Sequence, residues 1–67
     1  MKTTKSLNSS VKRAVKILEF LAVSAGPMDL GDISRSLKMN KSTVYRFLAT
    51  LMEDGYVNQD PNSGKYS

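Results

Sequence analysis

The stretch KMNKSTVYRFLATLMEDGY, from Lys38 to Tyr56, decides the fold. Its apolar residues recur at three- and four-residue intervals, which is the spacing of one face of an α-helix. That face is made of Val44, Phe47, Leu48, Leu51 and Met52. Asn40 is a suitable N-cap and Gly55 a suitable end, so the stretch predicts a helix that runs to about Asp54.

The opposite face of this helix is polar and contains no catalytic pair. It consists of Ser42, Thr43, Arg46, Thr50 and Glu53. Glu53 and Asp54 lie at the C-terminal end, against the preference of the helix dipole, whereas Lys41 and Arg46 make the N-terminal half positive. A helix with a positive N-terminal half is suited to contact with phosphates.

A short helix is predicted just before this one, from Leu30 to about Lys38. Asp29 is a good N-cap, and Asp32 lies in the first turn, where negative charge favours the helix dipole. Leu30, Ile33 and Leu37 form a narrow apolar stripe. Because only residues 38–40 connect the two helices, the pair is predicted to form a helix-turn-helix.

A first helix is predicted from about Ser10 to Ala25, with Ser9 or Ser10 as N-cap and Gly26 as a left-handed cap before Pro27. Phe20 and Val23 fall outside its predicted core stripe. They are either ordinary exposed side chains or a contact with a second copy of the chain. The predicted core stripe consists of Val11, Ala14, Val15, Leu18, Leu21, Ala22 and Ala25.

The C-terminal segment predicts a β-hairpin, with a strand at 56–59, turn-forming residues at 60–64 and a return at Lys65 and Tyr66. The expected fold is therefore mainly α with a small β-hairpin, a three-helix winged helix-turn-helix. Residues 1–9 are predicted to be a flexible basic arm and residues 10–67 the domain itself. Met28, Met39 and Met52 are predicted to fill the core.

The composition argues against an enzyme. The 67 residues include no Cys and no His, so thiolate metal sites, Ser-His pairs and the commonest general base are unavailable. The six acidic residues are scattered, and we expect no metal and no cofactor. The N-terminal residues have no apolar targeting segment and no stretch is apolar enough to span a membrane, so we expect a cytoplasmic protein.

Positive charge is concentrated at the N-terminus. Residues 1–16 include five basic and no acidic side chains, whereas the remainder includes five basic and six acidic ones, and the net charge is +4. A basic arm on a nearly neutral body is typical of a protein that binds a polyanion. The alternative is a tail that only increases solubility, and charge alone does not separate the two.

The chain resembles the N-terminal DNA-binding domain of the IclR family of bacterial transcriptional regulators. The similarity covers VKRAVKILEFLA, MDLGDISRSLKMNKSTVYRFLATLMEDGYV and GKYS. The family's opening Arg-Ala pair is matched by Arg13 and Ala14, its Lys-Ser-Thr-x-x-Arg-x-Leu motif by residues 41–48, and its Gly-Tyr by Gly55 and Tyr56. Its wing closes near a tyrosine such as Tyr66. The resemblance implies sequence-specific binding of double-stranded DNA.

Two departures from the family pattern are notable. Ser34 and Ser36 stand where the family often has alanine and a charged residue, which we expect to loosen packing slightly. Family members also continue into a C-terminal ligand-binding domain, and this chain stops where that domain would begin. We therefore expect an excised or truncated domain. The resemblance implies a homodimer or higher oligomer and a small-molecule effector in the whole protein, and leaves open whether it represses or activates.

Arg46 is the first choice for a contact with a guanine edge or a phosphate. Ser42 and Thr43 are expected to meet phosphates or bases, with local capping as a competing role. Tyr45 either donates its hydroxyl to a phosphate or leans on the core. Thr50 is a candidate for a thymine methyl. The remaining predicted contacts, to phosphates or to the minor groove beside the wing, are Arg35, Lys38, Lys41 and Lys65.

Two other functions remain as alternatives. A winged helix can be a protein-interaction module, which would require an exposed apolar patch and an ordinary third helix. A small enzyme would require His, Cys or a carboxylate pair. The hydroxyl, Arg and Lys side chains on the third helix favour DNA over both.

Overall fold

The computed structural model describes residues 8–67, which form three helices followed by an irregular C-terminal segment. Helix α1 spans Ser9–Val23, α2 spans Leu30–Leu37 and α3 spans Lys41–Glu53. None of these three helices has the length and apolar character needed to cross a membrane. Of the arm predicted at residues 1–9, residues 1–7 lie outside the described part, and Asn8 and Ser9 belong to the start of α1.

Helix α1 begins and ends earlier than predicted. Asn8, rather than Ser9 or Ser10, is the N-cap, because its side chain accepts hydrogen bonds from the backbone N–H of Ser10 (2.9 Å) and Val11 (3.2 Å). At the other end, the hydroxyl of Ser24 donates to the Phe20 carbonyl over 2.7 Å. Gly26 is not in the left-handed region, so the predicted glycine cap was wrong. A serine hydroxyl satisfies the orphan carbonyl instead.

The core side of α1 also differs from the predicted stripe. Ile17, which lay outside that stripe, is completely buried, and Phe20 is half-buried against the core instead of exposed. Val11, Val15 and Ala22, which lay inside it, are exposed. Helix α1 is therefore turned so that Ile17 and Leu21 face its own core. We call Val11, Val15 and Ala22 the outer face of α1.

Helix α2 ends in a Schellman motif with an unusual residue at its left-handed position. The N–H of Met39 donates to the Ser34 carbonyl (3.0 Å) and that of Lys38 to the Arg35 carbonyl (3.3 Å). Lys38 has φ 56° and ψ 46°, a conformation that glycine adopts at lower cost. The Ser34 hydroxyl also donates to the Met39 carbonyl. Ser34 therefore fastens the turn rather than loosening the packing as predicted.

Helix α3 confirms its prediction at both ends. The side chain of Asn40 accepts from the backbone N–H of Thr43 over 2.9 Å. At the other end Gly55 has φ +81°, and its N–H and that of Tyr56 donate to Met52 and Leu51 in a second Schellman motif. The predicted core face is buried or half-buried, with Val44 and Leu48 completely enclosed.

The core lies between the three helices and the C-terminal segment. Its fully buried members are Ile17, Ile33, Val44, Leu48, Val57 and Tyr66. Met28, Met39 and Met52 pack against it, which agrees with the prediction that they are filler. Within residues 8–67 every buried polar side-chain atom has a hydrogen-bond partner.

The predicted β-hairpin is not confirmed as a pair of strands. In residues 8–67 antiparallel pairing is limited to isolated bridges, Met28 with Tyr66 and Gln59 with Tyr66. The backbone groups of Met28 and Tyr66 exchange hydrogen bonds of 2.8 and 2.7 Å. Those of Asn58 and Ser67 exchange two of 2.9 Å. The turn at 60–64 forms as predicted. Tyr66, however, forms single bridges with Met28 and with Gln59, so residues 56–67 do not build a continuous ladder.

Candidate nucleic-acid interface

The face of α3 opposite the core is exposed along its whole length. Successive residues at three- and four-residue spacing, Ser42, Arg46, Ala49 and Glu53, follow its centre. Tyr45, 55% exposed, flanks one side, and Thr50 flanks the other. Arg46 carries the positive charge at the middle of this face, and Glu53 lies at its C-terminal end. The arrangement is a polar helix surface that a groove of nucleic acid could receive.

The hydroxyl groups of this face already have partners. Ser42 donates to the side-chain oxygen of Asn40 over 3.1 Å, and the capping bond itself is made by Asn40, which accepts from the backbone N–H of Thr43. Thr50 donates to the Arg46 carbonyl over 2.9 Å. This internal bond leaves the methyl group of Thr50 as the part suited to an apolar contact. Thr43 is half-buried and lies beside the turn rather than on the central line.

The predicted basic contacts occupy different settings. Lys38, Lys41 and Lys65 are exposed. Arg35 is engaged by Asp32 in an exposed ion pair on the same helix. Such surface pairs contribute roughly 0–1 kcal/mol, so Arg35 can exchange its partner for a phosphate at little cost. Lys38 on the turn and Lys41 and Arg46 on α3 are thus exposed basic side chains without a carboxylate partner among residues 8–67.

The C-terminal segment lies beside the Tyr45 flank of α3. Burial raises the pKa of the Tyr66 phenol above its ordinary value, and the nearby Tyr45 raises this pKa further because two phenolates would repel. At the tip of the segment, the Ser63 backbone N–H donates to the Asp60 carboxylate over 2.7 Å. The Ser63 N–H and hydroxyl together hold the pKa of Asp60 below its ordinary value. These bonds fix the turn that precedes Lys65.

Sequence reasoning missed two residues of this region. Ala49 carries no charge or hydroxyl, yet it lies on the central line of the exposed face. Its position three residues after Arg46 would have revealed it on a helical projection. Arg13 was noted as part of the basic N-terminus and of the family's Arg-Ala pair, without a predicted contact, but it lies beside Lys38 and Asn40 in a cleft. Because this cleft lies between α1 and the turn before α3, no local pattern indicates it.

The described residues offer little for catalysis or metal binding. Among residues 8–67, no group of three or more acidic side chains converges as a metal site would require. The buried titratable side chain is Tyr66, which packs in the core.

Comparison with known proteins identifies the relatives of this domain. The HTH-type transcriptional regulator XynR of Escherichia coli is 40% identical over 57 residues, which is 85% of this chain and 23% of XynR. The crystal structure of an IclR transcriptional regulator from Alicyclobacillus acidocaldarius superposes with a TM-score of 0.85 and 34% identity, covering 91% of this chain and 25% of that one. This chain therefore spans about a quarter or less of the regulators it matches.

A second similar structure is the Zalpha domain of ORF112 from cyprinid herpesvirus 3, described in its binding mode to Z-DNA. Its TM-score is 0.77 at 28% identity, and the match covers 84% of this chain and 90% of that domain. XynR and the Alicyclobacillus protein are transcriptional regulators, in agreement with the prediction that this domain is not an enzyme. The IclR helix-turn-helix domain profile matches residues 10–61, and the chain therefore belongs to the IclR family.

Proposed function

We propose that this domain binds double-stranded DNA sequence-specifically, with α3 in the major groove and the segment 56–67 as a wing on the flanking backbone or minor groove. The carrying observation is the division of α3 into a buried apolar face and an exposed face with Arg46 at its centre. A major groove admits one α-helix, and side chains on its outer face meet the base edges. Family membership supports the same function.

The roles of individual residues follow from their chemistry. Arg46 can pair bidentately with guanine, and the methyl groups of Ala49 and Thr50 suit a thymine methyl. Ser42 and Tyr45, which are exposed along the same face, are expected to contact phosphates or base edges. Lys38, Lys41, Arg35 and Lys65 are expected to neutralise phosphates beside the groove. As part of a bacterial regulator, the domain would act in the cytoplasm, where the chromosome lies.

The first test is fluorescence anisotropy of the chain on a labelled random-sequence duplex across a salt series. Each neutralised phosphate contributes about 0.9 to the slope of log affinity against log salt. We expect micromolar-range binding that weakens steeply, with a slope that corresponds to several phosphates. Binding that is absent at low salt, or insensitive to salt, would contradict the proposal. In that case the protein-interaction module becomes the better explanation.

We also propose that the intact protein is a homodimer or higher oligomer, with α1 at the contact between copies. Helix-turn-helix proteins that read two-fold sites are dimers. The predicted contact between copies consisted of Phe20 and Val23. Phe20 packs against the core of its own domain, whereas Val23 is 83% exposed and remains free to contact a second copy. The outer face of α1 is a second exposed apolar surface. The C-terminal ligand-binding domain and its effector remain proposals drawn from the family.

Light scattering of the intact protein distinguishes these two surfaces. Val15→Ser alters the outer face of α1, whereas Val23→Ser alters the predicted patch, and both residues are exposed enough for the fold to tolerate the change. We expect one of the two variants to shift the protein towards monomer. If neither shifts it, α1 is not the contact between copies.

A further inference from the structure

A cleft of about 230 Å³ opens where α1 meets the turn between α2 and α3. Arg13, Lys38, Met39, Asn40 and Thr43 line it. We propose that it holds one phosphate of the DNA backbone, clamped between Arg13 on one helix and Lys38 on the turn. The proposal rests on the proposed function, because it assumes that duplex DNA lies against α3. It adds a contact from α1, outside the helix-turn-helix.

The charge of the cleft selects an anion. Two of its five lining residues are cations and none is acidic. Among residues 8–67, Asp32 and Arg35 form an ion pair, whereas neither Arg13 nor Lys38 has a carboxylate partner. The neighbouring cleft, one to two turns further along α1, differs: it is lined by Lys16 together with Glu19 and apolar side chains. Unpaired cations in a concave site are what a phosphate requires.

The hydrogen-bonding groups of Asn40 point to the same ligand. Its side-chain oxygen is occupied, since it accepts from the Thr43 N–H and from the Ser42 hydroxyl. Its amide Nδ2 makes no hydrogen bond within the described part of the chain. An Asn whose acceptor is used and whose donors remain can serve an anion but not a cation. The cleft thus offers a neutral donor between its two cations.

Lys38 has no structural reason to be a lysine. Its backbone is in the left-handed region at the end of α2, where glycine fits with less strain, and its side chain is exposed. The bonds from Ser34 to Met39 hold the turn in this shape. The strained conformation directs a charged side chain to the cleft. Folding alone would favour glycine at this position, whereas a role in binding phosphate explains the lysine.

The cleft is placed for backbone contact rather than for reading bases. Thr43, which lines it, lies about a quarter-turn around α3 from the central line of Ser42, Arg46 and Ala49. A phosphate held there would fix the depth and angle of α3 in the groove without regard to sequence. The contribution of Arg13 should therefore be the same on random and on selected duplexes.

The experiment uses three variants in the anisotropy salt series: Arg13→Gln, Lys38→Gly and the double variant. Lys16→Gln is the matched control, because it removes one positive charge from the same helix at the neighbouring cleft. We expect each single variant to weaken binding several-fold on random and selected duplexes alike. The double variant should lower the salt slope by about 0.9, the value for one phosphate. Lys16→Gln should change affinity and slope much less.

Thermal unfolding provides a readout that a structural role would not give. Lys38→Gly should raise Tm, because glycine relieves the left-handed strain, while the same substitution weakens DNA binding. Equal effects of Arg13→Gln and Lys16→Gln would overturn the proposal, since charge alone would then suffice. A slope reduction of about twice 0.9 in the double variant would also overturn it, by showing two separate phosphates. Failure of the unaltered chain to bind would instead refute the proposed function.

Discussion

Replacement of Ile17 by alanine is expected to remove a large part of the stability of the domain. Ile17 is completely buried at the junction of α1 with the rest of the core. Truncation of a buried isoleucine to alanine costs about 2–5 kcal/mol, through lost burial and the cavity left behind. A domain of this size has a total stability of roughly 3–10 kcal/mol. Urea unfolding followed by the helical circular dichroism signal measures the loss.

Val15→Ala is the matched control for this prediction. Val15 lies two residues earlier on the same helix, is also β-branched and is 44% exposed. Its truncation should change the free energy of unfolding by no more than about 0.5 kcal/mol, because alanine favours the helix and little buried surface is lost. If Val15→Ala destabilised the domain as much as Ile17→Ala, α1 would be turned the other way and the originally predicted stripe would be correct.

The error in α1 has a physical origin. Apolar residues occur on more than one side of this helix, so two stripes at helical spacing overlap in the sequence. One contains Ile17 and Leu21 and the other contains Val11, Val15 and Ala22. Periodicity identifies a helix but not which of two apolar faces its own core will cover. That choice is made by contacts with α2 and α3, which are distant in sequence.

Helix α3 was predictable because its information is local. It has a single apolar face, an Asn at its start and a Gly at its end, and all three agree. The same holds for Asp29 at the start of α2. The exposed polar face of α3 followed as the complement of its core face. Because the apolar pattern and the capping residues of α3 agree, they predicted both the helix and the exposed face that carries most of the candidate site.

The wing and the cleft depend on contacts between distant parts of the chain. Turn-forming residues correctly indicated the reversal at 60–64, but Tyr66 pairs with Met28 from the loop before α2 as well as with Gln59. Arg13 likewise comes to line one cleft with Lys38 and Asn40 only after α1 packs beside the turn. Short-range patterns carry no information about such partners.

Arg46→Ala is expected to produce the largest loss of sequence-specific binding. Arg46 is exposed at the centre of the outer face of α3, and no acidic partner holds it within residues 8–67. A bidentate contact with guanine contributes about 1–3 kcal/mol of discrimination. This corresponds to a loss of about 5- to 150-fold in affinity for a duplex selected from a random pool. The loss on random duplex should be clearly smaller.

Arg35→Ala is the appropriate comparison, because it removes the same side chain from α2, where Asp32 already engages it. It should weaken binding modestly and equally on both duplexes, as a phosphate contact does. An equal loss on both duplexes for Arg46→Ala would assign Arg46 to a phosphate as well, and the base-reading role would pass to its neighbours on α3. An unchanged affinity would remove Arg46 from the interface. The ratio of the losses on selected and random DNA, rather than either loss alone, therefore decides what Arg46 reads.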